Sequence, residues 1–414
     1  MVSTGPYRSR PLLLLETANF ASGVGNSIVM IAIPWLVLET TGSAAAAGVV
    51  GAASGLPAIL VAPVAGLLVD RLGRRVVSVG SDLLSAVSVA LIPVAASAGE
   101  LTLPAIAALA VLGATFDPAG YTARRSLIVD VAEAVGVGVD RLNGIHQGIA
   151  AMGWTLGPLV GAALIALVGA TGAFWLPFAL FLVAALCLGV LRVGDAGQRA
   201  RAEATERGER LTSREGAFRG FTALWRDRPI RLITLAVVIL AAVYLPTEAV
   251  ILPAYFQGAG EPGGLGVVLA ALAAGSVIGA FSYGWLSGRF PRSAIARIIL
   301  AGTALSVLPM ALLLPLPILA AAAFALGLAW GPADPLMATL VQRRIRHDEQ
   351  GRVFGVQLSL IAAAPPIAIL FVGLLVEAIG VGSAFLMIAA LLAAVSLAMI
   401  IAPGIGELDD DLPG

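Results

Sequence analysis

Long apolar runs separated by short polar joints leave this chain one place to fold: most of it has to lie inside a bilayer. Runs near residues 12–38, 44–69, 75–97, 101–121, 142–168 and 172–192 are followed, after a polar stretch, by runs near 230–256, 264–287, 294–314, 316–340, 353–378 and 381–402. A spanning helix needs about 20 apolar residues, so twelve spans use roughly 240 positions. The hydrophobic 59% of the 414 residues is of that size. Charged residues make up only 12% of the chain, about half their share in a soluble domain. The first run follows Arg8 and Arg10 as the core of a signal peptide would, but it carries Glu16, Asn19 and Asn26 and lacks an A-x-A cleavage pattern. It reads as the first span. The expected fold is all-α, with twelve transmembrane helices.

The arginines orient those helices. All 25 basic residues are arginine, and every one lies in the N-terminal segment or in the joints 70–75, 122–141, 192–231, 288–297 and 341–352. The alternate joints carry only Glu39, Glu100 and Glu261. Under the positive-inside rule, both termini and the arginine-bearing joints face the cytoplasm. A single missed span would scatter arginines over both faces, so the distribution also supports the count. The expected location is the cytoplasmic membrane, multi-pass, with the lipid bilayer as the main surroundings.

The same composition excludes several chemistries. Without lysine there is no Walker A loop and no Schiff-base amine. Cys187 is the single cysteine, and His146 and His347 are the two histidines; neither an intramolecular disulfide nor a metal cluster is expected. No cofactor, no metal, no covalent catalysis and no nucleic-acid partner are expected, and the chain reads as a monomer that is not an enzyme.

Six spans precede the polar stretch and six follow it, and the two sets match. Pro34, Gly48 and Gly66 recur as Pro253, Gly266 and Gly284; Phe116, Pro118 and Ala119 as Trp330, Pro332 and Ala333; Arg141 and Gly144 as Arg352 and Gly355. Halves with an even number of spans run in the same direction, so two parallel six-helix halves are expected, an architecture of transporters. The domains are read as 1–193, a cytoplasmic linker 194–229 of mixed charge, 230–403, and a short acidic tail 404–414 expected to be disordered.

The joint after span 2 reads Gly66, Asp70, Arg71, Gly73, Arg74 and Arg75 in the pattern G-x-x-x-D-R-x-G-R-R, and a degenerate copy begins at Gly284. The loop resembles the signature of the major facilitator superfamily, and the resemblance covers essentially the whole chain. Within that superfamily, Ser81-Asp82-Leu83-Leu84, Phe116 to Ala119 and the linker from Glu215 look like the branch of enterobactin exporters and macrolide efflux proteins. The resemblance implies that Asp70, Arg71 and Arg74 gate the switch between inward- and outward-facing states. Gly153, Gly157, Pro158 and Gly161 resemble the antiporter motif usual in the fifth span of drug exporters. Glycines four apart make a smooth face for close helix packing, and proline bends the helix. The span-4 arginine motif of many proton-coupled drug exporters is not matched, since Arg124 is the first arginine of that span.

Intramembrane acids are functional by default because burying a charge costs several kcal/mol. The resemblance implies that spans 1, 4, 7 and 10 line a central cavity, which makes Asp117, Glu248 and Asp334, with Asn19 and Asn26, the candidates for coupling or substrate contact. Asp117 leads, because neighbouring Pro118 frees a backbone carbonyl to which a protonated carboxyl could donate. Asp82 has a structural pairing or transport role, His146 and Gln147 a relay or packing role. Glu16 and Glu377 are expected simply to reach the interface. Phe116, Tyr121, Trp154 and Trp330 are candidate stacking or anchoring aromatics. The leading function is secondary export of amphipathic small molecules by proton antiport, with the small-molecule substrate and protons as partners. Export of an endogenous siderophore or metabolite, and a non-transporting membrane sensor on the same fold, remain the alternatives.

Overall fold

The computed structural model describes residues 9–55, 72–194, 221–222, 224–345 and 347–410. Among them there is no strand, and ten helices are long and apolar enough to cross a membrane, with two shorter apolar helices beside them. The chain divides into two compact units, residues 1–42 with 50–211 and residues 43–49 with 212–414.

In the first unit α1 (Arg10–Thr41) is the core helix. It is apolar on nearly every side, as a helix enclosed by others must be, and it packs on α6 (Val139–Gly172) and α7 (Trp175–Val190). Gly42, at φ 67, ends it by returning its N–H to the Leu38 carbonyl over 2.8 Å, the left-handed cap that glycine adopts without penalty. The start of α2 (Ala44–Gly55) belongs with the second unit. There Glu377 accepts from Ser43 Oγ at 3.0 Å and from Ala45 N at 3.3 Å. An exposed acid thus caps a helix N-terminus.

Around α1 stand α3 (Arg74–Ser97), which packs on α7, and the broken fourth span, α4 (Leu103–Thr115) and α5 (Asp117–Val135). The break falls at Phe116, before Pro118, which has no N–H to give the preceding turn. The expected joint 122–141 is largely the helix α5. Hydropathy reads the charges of that stretch as a loop, whereas Arg124 and Asp130 are buried against partners and the helix continues.

The second unit repeats these devices. Span 7 is α8 (Arg228–Pro246), a π-helical turn at Thr247–Ile251, and α9 (Leu252–Ala259). Then come α10 (Pro262–Ser287), α11 (Arg292–Ala311), α12 (Leu316–Trp330), α13 (Ala333–Arg344), α14 (His347–Ile379) and α15 (Val381–Ile400). Span 10 is interrupted between α12 and α13 at Pro332, as span 4 is before Pro118. Span 9 packs on spans 10 and 12 as span 3 packs on spans 4 and 6, and span 7 on span 11 as span 1 on span 5. The sequence repeat is therefore a packing repeat. Its tightest seam is α10 on α12, where Gly275 and Gly279 face Gly327 and Gly331 and leave no room for a β-carbon on either side.

The tail differs from its expectation. Residues Pro403–Asp409 form a 3-10 helix that buries Ile405 and Leu408. Arg292 donates to the Leu408 carbonyl at 3.2 Å, Ser293 N to Asp409 at 3.0 Å, and Arg344 to the Glu407 carbonyl at 3.2 Å. Two apolar residues and a ring of arginine donors order a segment that composition alone marks as acidic and short.

Candidate functional site

A stripe of polar side chains runs along α1 at helical spacing: Glu16, Asn19, Ser22 and Asn26. Asn26 is half-buried, and the other three are buried. Asn19 Nδ2 donates to the backbone oxygen of His146 on α6 at 2.9 Å and to Glu16 Oε2 at 3.3 Å. His146 Nδ1 lies 3.1 Å from Glu16 Oε1. Glu16 does not reach an interface, as its position near the span end suggests; at 6% exposure it is held inside by the imidazole and the amide. Gln147, the next residue after His146, points the other way and is exposed.

One turn and a half along α1, Ser22 Oγ donates to Asp82 Oδ1 at 2.9 Å. Arg124 of α5 meets both oxygens of that carboxylate at 3.0 Å. The two side chains are 6% and 2% exposed, a buried ion pair that ties α3 and α5. Arg124 is the partner of Asp82 that sequence reasoning missed. The sequence held a signal for it: Ser78, Ser81, Ser85 and Ser88 line one face of α3 with Asp82, and all are buried. A serine stripe on a membrane helix marks the face that meets polar groups.

Asp117 opens α5 just after the break and is half-buried. Its Oδ1 accepts from Ser85 Oγ at 3.1 Å. Beside the break, Ser81 gives to Phe116 O at 3.0 Å, which also takes the Gly120 N–H at 2.9 Å, and Ser85 Oγ lies 3.2 Å from Gly113 O. The acid itself is met by a neutral hydroxyl, while Asp82 and Asp130 are met by arginine.

In the G-R-R end of the signature loop, Gly73 sits at φ 92, open to glycine alone among common residues, and starts α3. Arg74 reaches Asp130 Oδ2 at 2.7 Å and the Ser126 carbonyl at 2.9 Å. Arg75 gives to the Leu191 carbonyl at 3.1 Å. Gly66, Asp70 and Arg71 lie outside the described residues.

Gly153, Gly157 and Gly161 of α6 form the face that meets α1. A β-carbon at 153 would sit 3.3 Å from Phe20 O, one at 157 would overlap Ser27, and one at 161 would sit 3.4 Å from Ile28 Cα. Pro158 cannot donate to the carbonyl four residues back, Trp154 O. Ser27 Oγ does so instead, at 3.1 Å. The motif is a proline-interrupted helix seam whose missing hydrogen bond is supplied by the neighbouring helix. Trp154 and Phe116 are exposed, as anchoring aromatics are.

In the second unit Glu248 lies in the π-helical turn of span 7, a helix defect frequent at functional sites. Tyr244 lies one turn earlier in the same span. The Tyr244 ring stacks on Trp330 with centroids 6.1 Å apart and planes 10° from parallel. Asp334 lies in the first turn of α13 after the break in span 10, and it is exposed. Span 7 joins span 11 through Gln357 Nε2, which donates to Thr234 Oγ1 at 2.8 Å.

Ten long apolar helices and two shorter ones among the described residues, with carboxylates, an imidazole and broken spans inside them, define a polytopic membrane protein of transporter architecture. The chain belongs to the Major Facilitator Superfamily, whose family model matches residues 15–368 and, again, 249–407. It is 35% identical over 404 residues to the multidrug efflux pump Tap of Mycolicibacterium fortuitum, an alignment covering 96% of this chain and 97% of that protein. It is 23% identical over 401 residues to macrolide efflux protein A of Streptococcus pyogenes, covering 93% of each. Among solved structures, the nucleoside transporter NupG superposes with a TM-score of 0.74 at 12% identity, covering 95% of this chain and 99% of that one, a likeness of fold.

Proposed function

We propose that this protein exports amphipathic small molecules from the cytoplasm by alternating access, driven by proton antiport. One observation carries the reading: the intramembrane acid Asp117 is met by the hydroxyl of Ser85. Asp82 and Asp130, by contrast, each have an arginine partner. A carboxyl facing a neutral donor can hold a proton or a cation in turn, whereas an ion-paired carboxylate is occupied. Asp117 is assigned the coupling proton. Glu248, Asp334 and the Tyr244–Trp330 stack suit a planar or cationic substrate group, and Asn19 and Asn26 of α1 are assigned to substrate contact as well. Asp70, Arg71 and Arg74 are assigned to the gate, and the arginine-rich joints and both termini to the cytoplasm. The names of the relatives, a multidrug pump and a macrolide efflux protein, support export as the direction.

The test is an efflux screen in a host lacking its own pumps, over dyes, macrolides and siderophores. Lowered accumulation of several unrelated dyes or macrolides is the expected result. Export restricted to a siderophore would replace multidrug export by the endogenous reading, and no change in any compound would remove export.

A further inference from the structure

The mechanism above leaves one buried titratable group unused. His146 is 1% exposed, and its Nε2 is a buried nitrogen without a hydrogen-bond partner. Its Nδ1 faces Glu16 Oε1 at 3.1 Å, and Asn19 fixes the other carboxylate oxygen and the His146 backbone at once. A carboxylate oxygen accepts, so Nδ1 carries the hydrogen and Nε2 presents a bare lone pair. An unpaired buried acceptor is costly to leave in place. Packing alone would be served as well by an apolar residue.

We propose that the Glu16–His146 pair is a second proton-carrying site of the first unit. A proton arriving from water binds Nε2 and turns the imidazole into an imidazolium beside the Glu16 carboxylate; its departure restores the neutral ring. No bond other than Nε2–H forms or breaks, and Asn19 is a positioning residue that keeps the carboxylate against Nδ1. Charged groups that face α1 and α6 from the helices around them are occupied: Asp82 of α3 with Arg124 of α5, Arg74 of α3 with Asp130 of α5, and Arg75 on the Leu191 carbonyl. Cys187 of α7 packs against the apolar cluster that includes Leu15 and Ala18 of α1. The Glu16 carboxylate is met by the imidazole and the Asn19 amide, so a proton added at His146 meets a carboxylate beside it. Ser22 links its helix to the Asp82–Arg124 pair next to Asp117, which sets the two proton sites on one polar line. The inference rests on the antiport reading and deepens it.

Two measurements test it. The chain has two histidines, so histidine labelled with nitrogen-15 gives two imidazole signals by nuclear magnetic resonance in the purified protein, and a His347→Gln variant assigns them. His146 is expected to interchange between the neutral Nδ1–H form and imidazolium within the range pH 9 to 5, and Glu16→Gln to alter its Nδ1 signal. A signal fixed in one form across that range overturns the proposal. In proteoliposomes with ethidium as probe, a gradient of one pH unit is expected to sustain up to about tenfold accumulation in the parent protein. His146→Asn and Glu16→Gln should lower it while retaining gradient-free ethidium exchange. Parent protein without a response to the gradient would sink the antiport reading itself. Parent response with an equal response in both variants would sink only the second site, and loss of exchange in both variants would assign the pair to packing and overturn the proposal.

Discussion

Replacing Arg124 by glutamine tests whether the polar network of the first unit stabilises the fold as its geometry implies. The guanidinium makes two 3.0 Å contacts with Asp82, and both side chains are almost fully enclosed, at 6% and 2% exposure. Without it the Asp82 carboxylate keeps one donor, the Ser22 hydroxyl at 2.9 Å. Removing one partner of a buried pair costs about 3–5 kcal/mol, because the remaining charge is left uncompensated. The companion variant Asp82→Asn with Arg124→Gln removes both charges, and it should recover all but about 1–2 kcal/mol of that loss. Arg228→Gln is the control. Its pair with Glu407 is 53% and 38% exposed, and exposed pairs contribute about 0–1 kcal/mol. Unfolding of the purified protein by sodium dodecyl sulfate in mixed micelles, followed by circular dichroism, gives all three differences. An Arg124→Gln loss of under about 1 kcal/mol, or a double variant as unstable as the two single losses added, would refute the reasoning.

Gly157→Leu places a side chain into Ser27 and the Val24 carbonyl on α1, and it should destabilise by about 1–3 kcal/mol or more, since overpacking a tight seam forces backbone shifts; the same unfolding assay reads it, and a neutral result would show that the α1–α6 seam yields. Leu408→Ala removes a fully buried side chain from the docked tail and should cost about 2–5 kcal/mol, with faster proteolysis after residue 402 as a second readout. Single cysteines at positions 39–43, 98–100 and 258–263, in a Cys187→Ser background, should react with an impermeant thiol reagent from outside, and cysteines at 200–215 from the cytoplasm only. Labelling of both sets from one side would overturn the assigned topology.

The helices and their repeat were legible because lipid enforces length and composition: twelve apolar runs became ten long helices and two shorter ones. Glycine motifs were legible too, since a missing β-carbon is visible in the sequence and its use in close packing is general. Pairing was not. Arg124 and Asp130 made the 122–141 stretch look like a loop until their partners Asp82 and Arg74 were seen, and the same charges that signal solvent in a single row signal burial in a bundle. Glu16 looked like an interfacial acid for the same reason, its imidazole partner lying 130 residues away. The acids Asp117 and Glu248 fall within long apolar helices, but nothing in the row of letters distinguishes a carboxyl met by serine from one met by arginine. Ordering of the tail depended on Ile405 and Leu408, two apolar letters among acids.

Asp117→Asn in proteoliposomes tests the central claim most directly. One proton exchanged for one neutral substrate supplies about 2.3 kcal/mol at 100 mV, enough to hold a gradient of roughly fifty-fold. With an imposed proton gradient, the variant is expected to lose uphill export while keeping its binding of neutral substrate, because asparagine retains a partner for Ser85 but cannot cycle a proton. Uphill export at the parent rate would contradict the account and move the coupling proton from Asp117 to another acid.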